Sequence, residues 1–169
     1  HREWMEHVPF ADHNAMQDPS CADITGRTLE ALVTCSVPAD HPSVRRAVAY
    51  LKKQQRPQGC WWGRWGVNFL YGTWQAVGGL RAVGESADSP MLRRTLAWLR
   101  RVQNEDGGFG ESANSYLDES LMGRGPSTPS QTAWGVCAMM ELTAPDDPAV
   151  KRAIAWLERH QIGRASCRE

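Results

Sequence analysis

The chain has 169 residues, enough for one ordinary domain with its own hydrophobic core. Its 19 acidic and 19 basic residues balance, so it lacks the basic excess that is typical of a nucleic-acid-binding surface. No apolar run approaches the roughly 20 residues that a transmembrane helix needs, and the N-terminus has no signal-peptide pattern. Because the chain begins at His1 and not at a methionine, we expect an internal piece of a longer protein.

Cysteine and tryptophan usage gives two further expectations. The five cysteines are scattered, odd in number and never in a C-x-x-C pair, so the pattern favours neither a disulfide framework nor a zinc ribbon. We therefore expect reduced thiols in a cytoplasmic or cytoplasm-facing protein. Eight tryptophans are many for this length, and they indicate either packing between repeats or an aromatic-lined pocket.

The hydrophobic pattern predicts helices throughout and no strand. Residues 1–21 are punctuated by Pro and Asp, which predicts an irregular start. A turn-rich aromatic segment lies at 61–65, and a long loop is predicted at 110–127. The predicted helices cover residues 22–35, 42–55, 68–83, 90–103, 128–142 and 148–161.

Three of these helices are copies of one pattern. Each begins at a proline, whose missing N–H costs nothing at the first helical position, and each reaches a glutamine thirteen residues later. Apolar residues recur on one face between these two positions, and Arg or Lys is frequent on the other. The copies are Pro42–Gln55, Pro90–Gln103 and Pro148–Gln161.

The two kinds of helix alternate along the chain. The charged copies are amphipathic and should lie outside, whereas the helices between them are more apolar and should lie inside. Helix 68–83 contains Gly72, Gly78 and Gly79, each costing about 0.5–1 kcal/mol in an isolated helix, so we expect close packing there. Helix pairs of about 50 residues must stack to bury their faces. The sequence therefore predicts an all-α fold, part of an α/α barrel (toroid) of inner and outer helices.

The first two copies end in the same turn, of the form Q-x-x-x-G-x-aromatic, at Gln55–Trp61 and Gln103–Phe109. A glutamine amide near a helix end can bond free backbone groups of the turn, and the glycine permits the chain reversal. The role of the turn is therefore structural. This turn resembles the QW motif of the squalene–hopene and oxidosqualene cyclase family of triterpene cyclases.

Further segments carry the same resemblance, and they are similar to bacterial squalene–hopene cyclases. They are His7–Asp12, Asp18–Thr25, Trp62–Thr73 and Ser127–Trp134. The resemblance covers residues 1–161 and implies the later part of one catalytic α/α-barrel domain. After Gln161 the expected glycine–aromatic turn is missing, so we predict that residues 162–169 are a non-native tail.

The resemblance implies an intramolecular isomerase that cyclises squalene to hopene through protonation and a carbocation cascade, without metal or cofactor. The acid motif of the family, Asp-x-Asp-Asp, does not occur in these residues, because Asp146-Asp147 only precedes the helix at Pro148. The piece by itself is therefore expected to be inactive. The alternatives are an oxidosqualene or other class II terpene cyclase, a zinc-dependent prenyltransferase β-subunit, and a non-catalytic α/α repeat scaffold.

The same resemblance implies catalytic roles for Asp23, Arg27 and Tyr71. Asp23 matches a carboxylate beside the catalytic acid, Arg27 a basic residue that can hydrogen-bond that acid, and Tyr71 part of a network that returns a proton to it. Phe10 and Trp65 match substrate-binding positions that line the cavity, where ring faces stabilise carbocations. Without the resemblance, the same residues would be an i,i+4 ion pair, a buried tyrosine with one hydrogen bond, and core aromatics.

Two further sets of expectations complete the sequence reading. Glu111 and Asp118 in the long loop could act as paired carboxylates, but nothing in the sequence positions them. The resemblance implies squalene as an apolar substrate and peripheral or monotopic attachment to the cytoplasmic face of the cell membrane. A homodimer is a further option, and no nucleic-acid partner is expected.

Overall fold

The computed structural model describes residues 19–160, and within that range it contains α-helices, two short 3-10 helices and no strand. The 3-10 helices, Ala113–Tyr116 and Glu119–Leu121, lie in the segment that the sequence predicted as a loop. Every predicted helix is present, with its ends within two residues of the predicted ones. Helices α1 to α6 are Ala22–Thr34, Pro42–Gln54, Phe69–Ala82, Pro90–Val102, Pro129–Met140 and Pro148–Arg159.

The three copies of the repeated pattern, α2, α4 and α6, begin as the sequence predicts. Each has its proline at the first helical position. The side chains of His41, Ser89 and Asp147 accept hydrogen bonds from amides two or three residues later, at 3.2, 3.4 and 2.8 Å. These caps satisfy amide groups that a helix start leaves without an intrahelical partner. All three helices bury one face and expose the other, which is typical of an outer layer.

The inner helices α1 and α3 approach each other so closely that only glycine fits at their crossing. A Cβ atom on Gly26 would lie 2.0 Å from the carbonyl oxygen of Gln75, and one on Gly79 would lie 2.4 Å from the carbonyl oxygen of Gly26. Helix α3 is buried along nearly its whole length and also contacts α5. The glycine-rich helix therefore lies at the centre of the inner row, as predicted.

The turn after α2 ties that helix to the next outer helix, α4. The side-chain nitrogen of Gln55, Nε2, donates to the carbonyl oxygen of Gly59 in its own turn at 3.2 Å. It also donates to the carbonyl oxygen of Met91 in α4 at 3.0 Å. Arg94 donates back to the amide oxygen of Gln55 at 2.6 Å. Gly59 has φ +103°, and a Cβ atom there would lie 2.5 Å from the carbonyl oxygen of Arg94. The sequence predicted the first of these bonds but not the link to the neighbouring helix.

The turn after α4 repeats this arrangement against α6. Gln103 donates to the carbonyl oxygens of Gly107 at 2.9 Å and of Ala149 at 2.8 Å, and Arg152 donates to its amide oxygen. Gly107 has φ +94°, and a Cβ atom there would lie 2.8 Å from the carbonyl oxygen of Arg152. We refer to the two turns, Gln55–Trp61 and Gln103–Phe109, as the outer ties.

The hydrophobic core fills the space between the inner and outer rows. Its largest fully buried side chains include the aromatic residues that end both outer ties, Trp61 and Phe109. The described residues therefore confirm the all-α fold with apolar inner and amphipathic outer helices, consistent with part of an α/α barrel. The predicted irregular start up to residue 18 and the predicted tail at 162–169 lie outside the described residues.

Candidate functional site

The candidate site is built around the loop Gly63–Asn68, which joins the segment after α2 to the start of α3. The loop closes on itself, because the side-chain oxygen of Asn68 accepts from the amide of Gly63 at 3.3 Å. Its main chain is held by polar side chains from α1, from the segment 110–127 and from α5. Two of the predicted site residues, Asp23 and Trp65, meet at this loop.

Asp23 lies in the first turn of α1 and is fully buried. Its Oδ2 atom accepts hydrogen bonds from the amides of Arg64 and Trp65, both at 3.0 Å. Its Oδ1 atom is also buried and has no hydrogen-bond partner among the described residues. Asp23 therefore fixes the main chain of the loop through its Oδ2 atom.

Arg27 does not contact Asp23, although it lies four residues later. The side chain of Arg27 is exposed, and no hydrogen bond or ion pair joins the two within residues 19–160. Burial raises the pKa of Glu30, repulsion from Glu141 adds to this, and the positive charge of Arg27 opposes it. The prediction of an i,i+4 ion pair between Asp23 and Arg27 is therefore wrong, because the Asp23 carboxylate points inward and binds the loop amides. The proposed contact of Arg27 with an acid outside this chain stays a prediction.

Trp65 presents its indole away from the core. It is 54% exposed, although its amide is fixed on Asp23. The guanidinium carbon of Arg64 lies 5.6 Å from the centre of the indole ring, within the range of a cation–π contact. The role of Trp65 in lining a cavity stays a prediction, and so does that of Phe10, which lies outside the described residues.

Tyr71 belongs to an aromatic cluster that joins two inner helices, α3 and α5. Its ring meets Trp134 edge to face at 5.0 Å and Trp74 at 6.0 Å. The indoles of Trp74 and Trp134 are stacked, with centres 6.3 Å apart and planes 9° from parallel. No hydrogen bond from the Tyr71 hydroxyl to a described residue is present, so its predicted proton-returning role stays a prediction. Helical periodicity did not single out Trp74 or Trp134, because stacking across two helices needs their relative placement.

Glu111 has a fixed position in the structure, although no sequence pattern positioned it and the expectation that it is unpositioned is therefore wrong. It is 5% exposed, and its Oε2 atom accepts from the amides of Asn68 at 3.2 Å and Leu70 at 2.8 Å. Its Oε1 atom is buried without a hydrogen-bond partner among the described residues. Asp118 lies elsewhere in the segment, where it accepts from the amide of Ser120 at 2.9 Å and caps the second 3-10 helix.

Two more side chains hold the carbonyl groups of the loop. The hydroxyl of Tyr116 lies 2.9 Å from the carbonyl oxygen of Gly66 and 3.2 Å from that of Arg64, and its one proton is shared between them in a bifurcated hydrogen bond. Burial raises the pKa of Tyr116 to about 12, and the nearby charges of Asp23 and Glu111 act in the same direction. The hydroxyl therefore keeps its proton at neutral pH and remains a donor.

Gln131, near the start of α5, links the loop to Glu111. Its side-chain nitrogen donates to the carbonyl oxygen of Glu111 at 3.0 Å and more weakly to that of Val67 at 3.4 Å, while its oxygen accepts from the amide of Glu111 at 3.0 Å. Gln131 lies in a segment that carried the family resemblance, which was the one sequence signal pointing to it. Gln131 therefore binds both the backbone N–H and the backbone C=O of Glu111, while the carboxylate of Glu111 binds the start of α3.

Neither a metal cluster nor a membrane-spanning helix occurs among the described residues. Between residues 19 and 160, no group of three or more His, Cys, Asp or Glu side chains is placed to hold a metal ion. In the same part of the chain, no helix has the length and apolar character to cross a membrane.

Comparison with known proteins identifies the family. The family model for the squalene–hopene cyclase C-terminal domain matches residues 1–169. The chain belongs to the squalene–hopene cyclase family. It is 44% identical over 156 residues to a squalene–hopene cyclase of Bradyrhizobium diazoefficiens, which covers 91% of this chain and 24% of that protein. It is 42% identical over 155 residues to a squalene–hopene cyclase of Alicyclobacillus acidocaldarius, covering 92% and 25%.

The family also includes a relative with a different name. A dammaradiene synthase of Dryopteris crassirhizoma is 39% identical over 159 residues, covering 83% of this chain and 23% of that protein. The chain thus spans about a quarter of the length of each of these three relatives. The loop Gly63–Asn68 and the aromatic cluster both lie within the matched residues.

Proposed function

We propose that this chain supplies part of the catalytic domain of a triterpene cyclase that converts squalene to hopene. The observation that carries the proposal is membership of the squalene–hopene cyclase family over the whole chain. The inner row of helices supports it, since α3 and α5 bring Tyr71, Trp74 and Trp134 together. The faces of such rings stabilise cations without reacting with them, which a carbocation cascade requires.

The proposed reaction is an isomerisation that balances without a cofactor. A proton is added to a terminal double bond of squalene and leaves a carbocation. Each following step uses the π electrons of the next double bond to form one carbon–carbon bond, and the positive charge moves to the next carbon. Loss of a proton from the last cation forms the double bond of the product, so no atom is gained or lost.

The residues of this chain are assigned supporting roles in that reaction. Asp23 is proposed to act as a carboxylate beside the initiating acid, held in one orientation by the amides of Arg64 and Trp65. Arg27 is proposed to hydrogen-bond that acid, and Tyr71 to take part in returning the proton. Trp65 and Phe10 are proposed to contact the polyene. The exposed indole of Trp65 supports this role, since a ring buried in the core could not meet a substrate.

The initiating acid itself is not among these residues, because no Asp-x-Asp-Asp sequence occurs in them. We therefore propose that the 169-residue chain alone does not turn over. The test uses the complete open reading frame around the chain, expressed and incubated with squalene, with products identified by gas chromatography and mass spectrometry. Hopene is the expected product, and the chain expressed alone should give none. A complete protein that forms no cyclic triterpene contradicts the proposal and favours the non-catalytic scaffold.

The product has one alternative that a specific observation favours. The Dryopteris relative is named for a different product, dammaradiene, so members of the family differ in what they form. Parallel incubations with squalene and with oxidosqualene separate a hopene-forming enzyme from an oxidosqualene cyclase. Conversion of oxidosqualene alone would overturn the choice of substrate but keep the class of reaction.

Attachment to a membrane and self-association are further proposals for the complete protein. An apolar substrate such as squalene is stored in the lipid phase, which supports peripheral or monotopic binding to the cytoplasmic face of the cell membrane. Fractionation with salt, carbonate and detergent washes tests this, and recovery in the soluble fraction before any wash contradicts it. Light scattering of the purified protein tests the proposed homodimer.

A further inference from the structure

The start of α3 is stabilised in a way that differs from the outer helices. Asn68, the residue before the helix, forms no side-chain hydrogen bond to the amides of the first turn. The carboxylate of Glu111 accepts from the amides of Asn68 and Leu70 instead, from a position more than 40 residues later in the chain. By contrast, α2, α4 and α6 are capped by the residue directly before the helix. A distant side chain therefore sets where the central inner helix begins.

A buried carboxylate is a costly choice for a cap alone. Burying a charged group carries a large desolvation penalty, and a neutral Ser or Thr at the cap position could satisfy the amide of Leu70 without it. The described partners of the Glu111 carboxylate are two backbone amides on one oxygen atom, while the other oxygen is buried without a partner. This desolvation penalty has a structural reason if Glu111 also fixes a second part of the chain besides the helix start.

The loop Gly63–Asn68 is what Glu111 fixes. Glu111 holds the amide of Asn68, and the side chain of Asn68 holds the amide of Gly63. Both ends of the loop thus depend on one carboxylate. Between these ends lie the two amides that bind Asp23, so movement of Asn68 shifts the groups that orient Asp23 and display Trp65.

We propose that Glu111 is a positioning residue for cyclisation, which acts through Asn68 to set the loop that orients Asp23 and presents Trp65. This proposal rests on the proposed function. It assigns Glu111 no contact with substrate and no proton transfer. Its chemical requirement is an acceptor oxygen at the position of Oε2, which the amide oxygen of glutamine can also supply.

The experiment compares two lost helix caps in the complete enzyme. Glu111→Ala removes the cap of the inner helix α3, Ser89→Ala removes the cap of the outer helix α4, and Glu111→Gln keeps an acceptor oxygen. Each variant is measured for melting temperature, kcat and KM with squalene, the ratio of fully to incompletely cyclised products, and hydrogen–deuterium exchange in residues 62–70.

The expected result separates positioning from simple stabilisation. Glu111→Ala should lower kcat per folded enzyme by about tenfold to a hundredfold, the effect of a small misplacement of reacting groups. It should also raise the share of incompletely cyclised products and speed exchange of the Arg64 and Trp65 amides. Glu111→Gln should restore the product ratio, and Ser89→Ala should lower only the melting temperature.

Three outcomes overturn the proposal. If Glu111→Ala matches Ser89→Ala in product ratio and kcat, Glu111 is a cap and nothing more. If Glu111→Gln fails as badly as Glu111→Ala while its amide exchange stays normal, the charge or proton of Glu111 matters and not its acceptor oxygen. If the unmodified complete enzyme forms no cyclic triterpene, the proposed function fails and this role in cyclisation fails with it, whatever the exchange data show.

Discussion

The outer ties and the loop Gly63–Asn68 hold the same set of helices by different means. In the outer ties, one glutamine bonds its own turn and the next outer helix, and the arrangement occurs twice with the same spacing. The loop occurs once, and its main chain is held by Asp23, Glu111, Tyr116 and Gln131 from three separate parts of the chain. The repeated contacts of the outer ties therefore join the outer helices, and the contacts that occur once surround the candidate site.

The difference also concerns charge. The outer ties use a neutral amide, and the arginine that bonds each glutamine lies at the surface. The loop uses two buried carboxylates, Asp23 and Glu111, each with one buried oxygen atom that has no partner among the described residues. A protein interior accepts such groups at a cost in stability, and they concentrate at functional sites. Removing contacts from the outer ties should therefore cost stability, and removing contacts from the loop should also change the chemistry.

The largest effect on stability should come from Gly107→Ala in the second outer tie. Its positive φ disfavours alanine, and the new Cβ atom would lie 2.8 Å from the carbonyl oxygen of Arg152 in α6. Strain and overlap together should lower the free energy of unfolding by about 4 kcal/mol. The matched control is Gly84→Ala, which has φ +87° but nothing within 4 Å of the new atom, and should cost only about 1 kcal/mol. Urea unfolding measures both, and equal losses would show that strain alone acts.

The next largest effect should come from Asp23→Ala at the loop. It leaves the partly buried amides of Arg64 and Trp65 without an acceptor, which should cost about 3 kcal/mol. Asp23→Asn keeps one acceptor oxygen and should cost about 1 kcal/mol. In the complete enzyme both variants should lose most cyclase activity, because both lack the carboxylate that is proposed to lie beside the initiating acid. If Asp23→Asn is fully active, the carboxylate serves only to hold the loop.

The sequence predicted the outer layer far better than the site, and the physical reason is range. Helix starts, amphipathic faces and the Gln–Gly turn depend on residues within a few positions of one another, so a local pattern reveals them. Glu111 acts on amides more than 40 residues away, which no local pattern records. The i,i+4 spacing of Asp23 and Arg27 was misleading for the same reason, since distant amides compete for the Asp23 carboxylate.

A smaller effect should follow from Gln103→Ala, which tests whether an outer tie acts without influencing the site. The change removes the donor to the carbonyl oxygens of Gly107 and Ala149, in two partly buried hydrogen bonds, and should cost about 1–2 kcal/mol. The control Gln58→Ala removes an exposed glutamine from the first tie that has no hydrogen bond within the described residues, and should be neutral. In the complete enzyme Gln103→Ala should leave the product ratio unchanged. A changed ratio would show that the outer ties also shape the cavity.

The smallest effect should come from Asp106→Asn, a change at the position where the two outer ties differ. The position before the glycine is Asp106 in the second tie and Gln58 in the first. Asp106 accepts from the amide of Gly108 at 2.9 Å, the hydroxyl of Ser127 at 2.8 Å and the indole of Trp156 at 2.8 Å. Slight desolvation raises the pKa of Asp106, but these hydrogen bonds outweigh it and leave the pKa below its usual range.

A lowered pKa in the folded state fixes the direction of the pH dependence. Folding then favours the ionised form of Asp106, so its contribution is complete above the pKa of the unfolded chain and is lost as pH falls through the lower pKa of the folded state. The melting temperature of Asp106→Asn should therefore lie below that of the unmodified chain at pH 7, and the gap should close on acidification below about pH 4. The exposed control Asp40→Asn should show little gap at either pH. A gap for Asp106→Asn that does not narrow as the pH falls from about 7 to about 2 would mean that shape and neutral hydrogen bonding, not the charge of this carboxylate, hold the second tie.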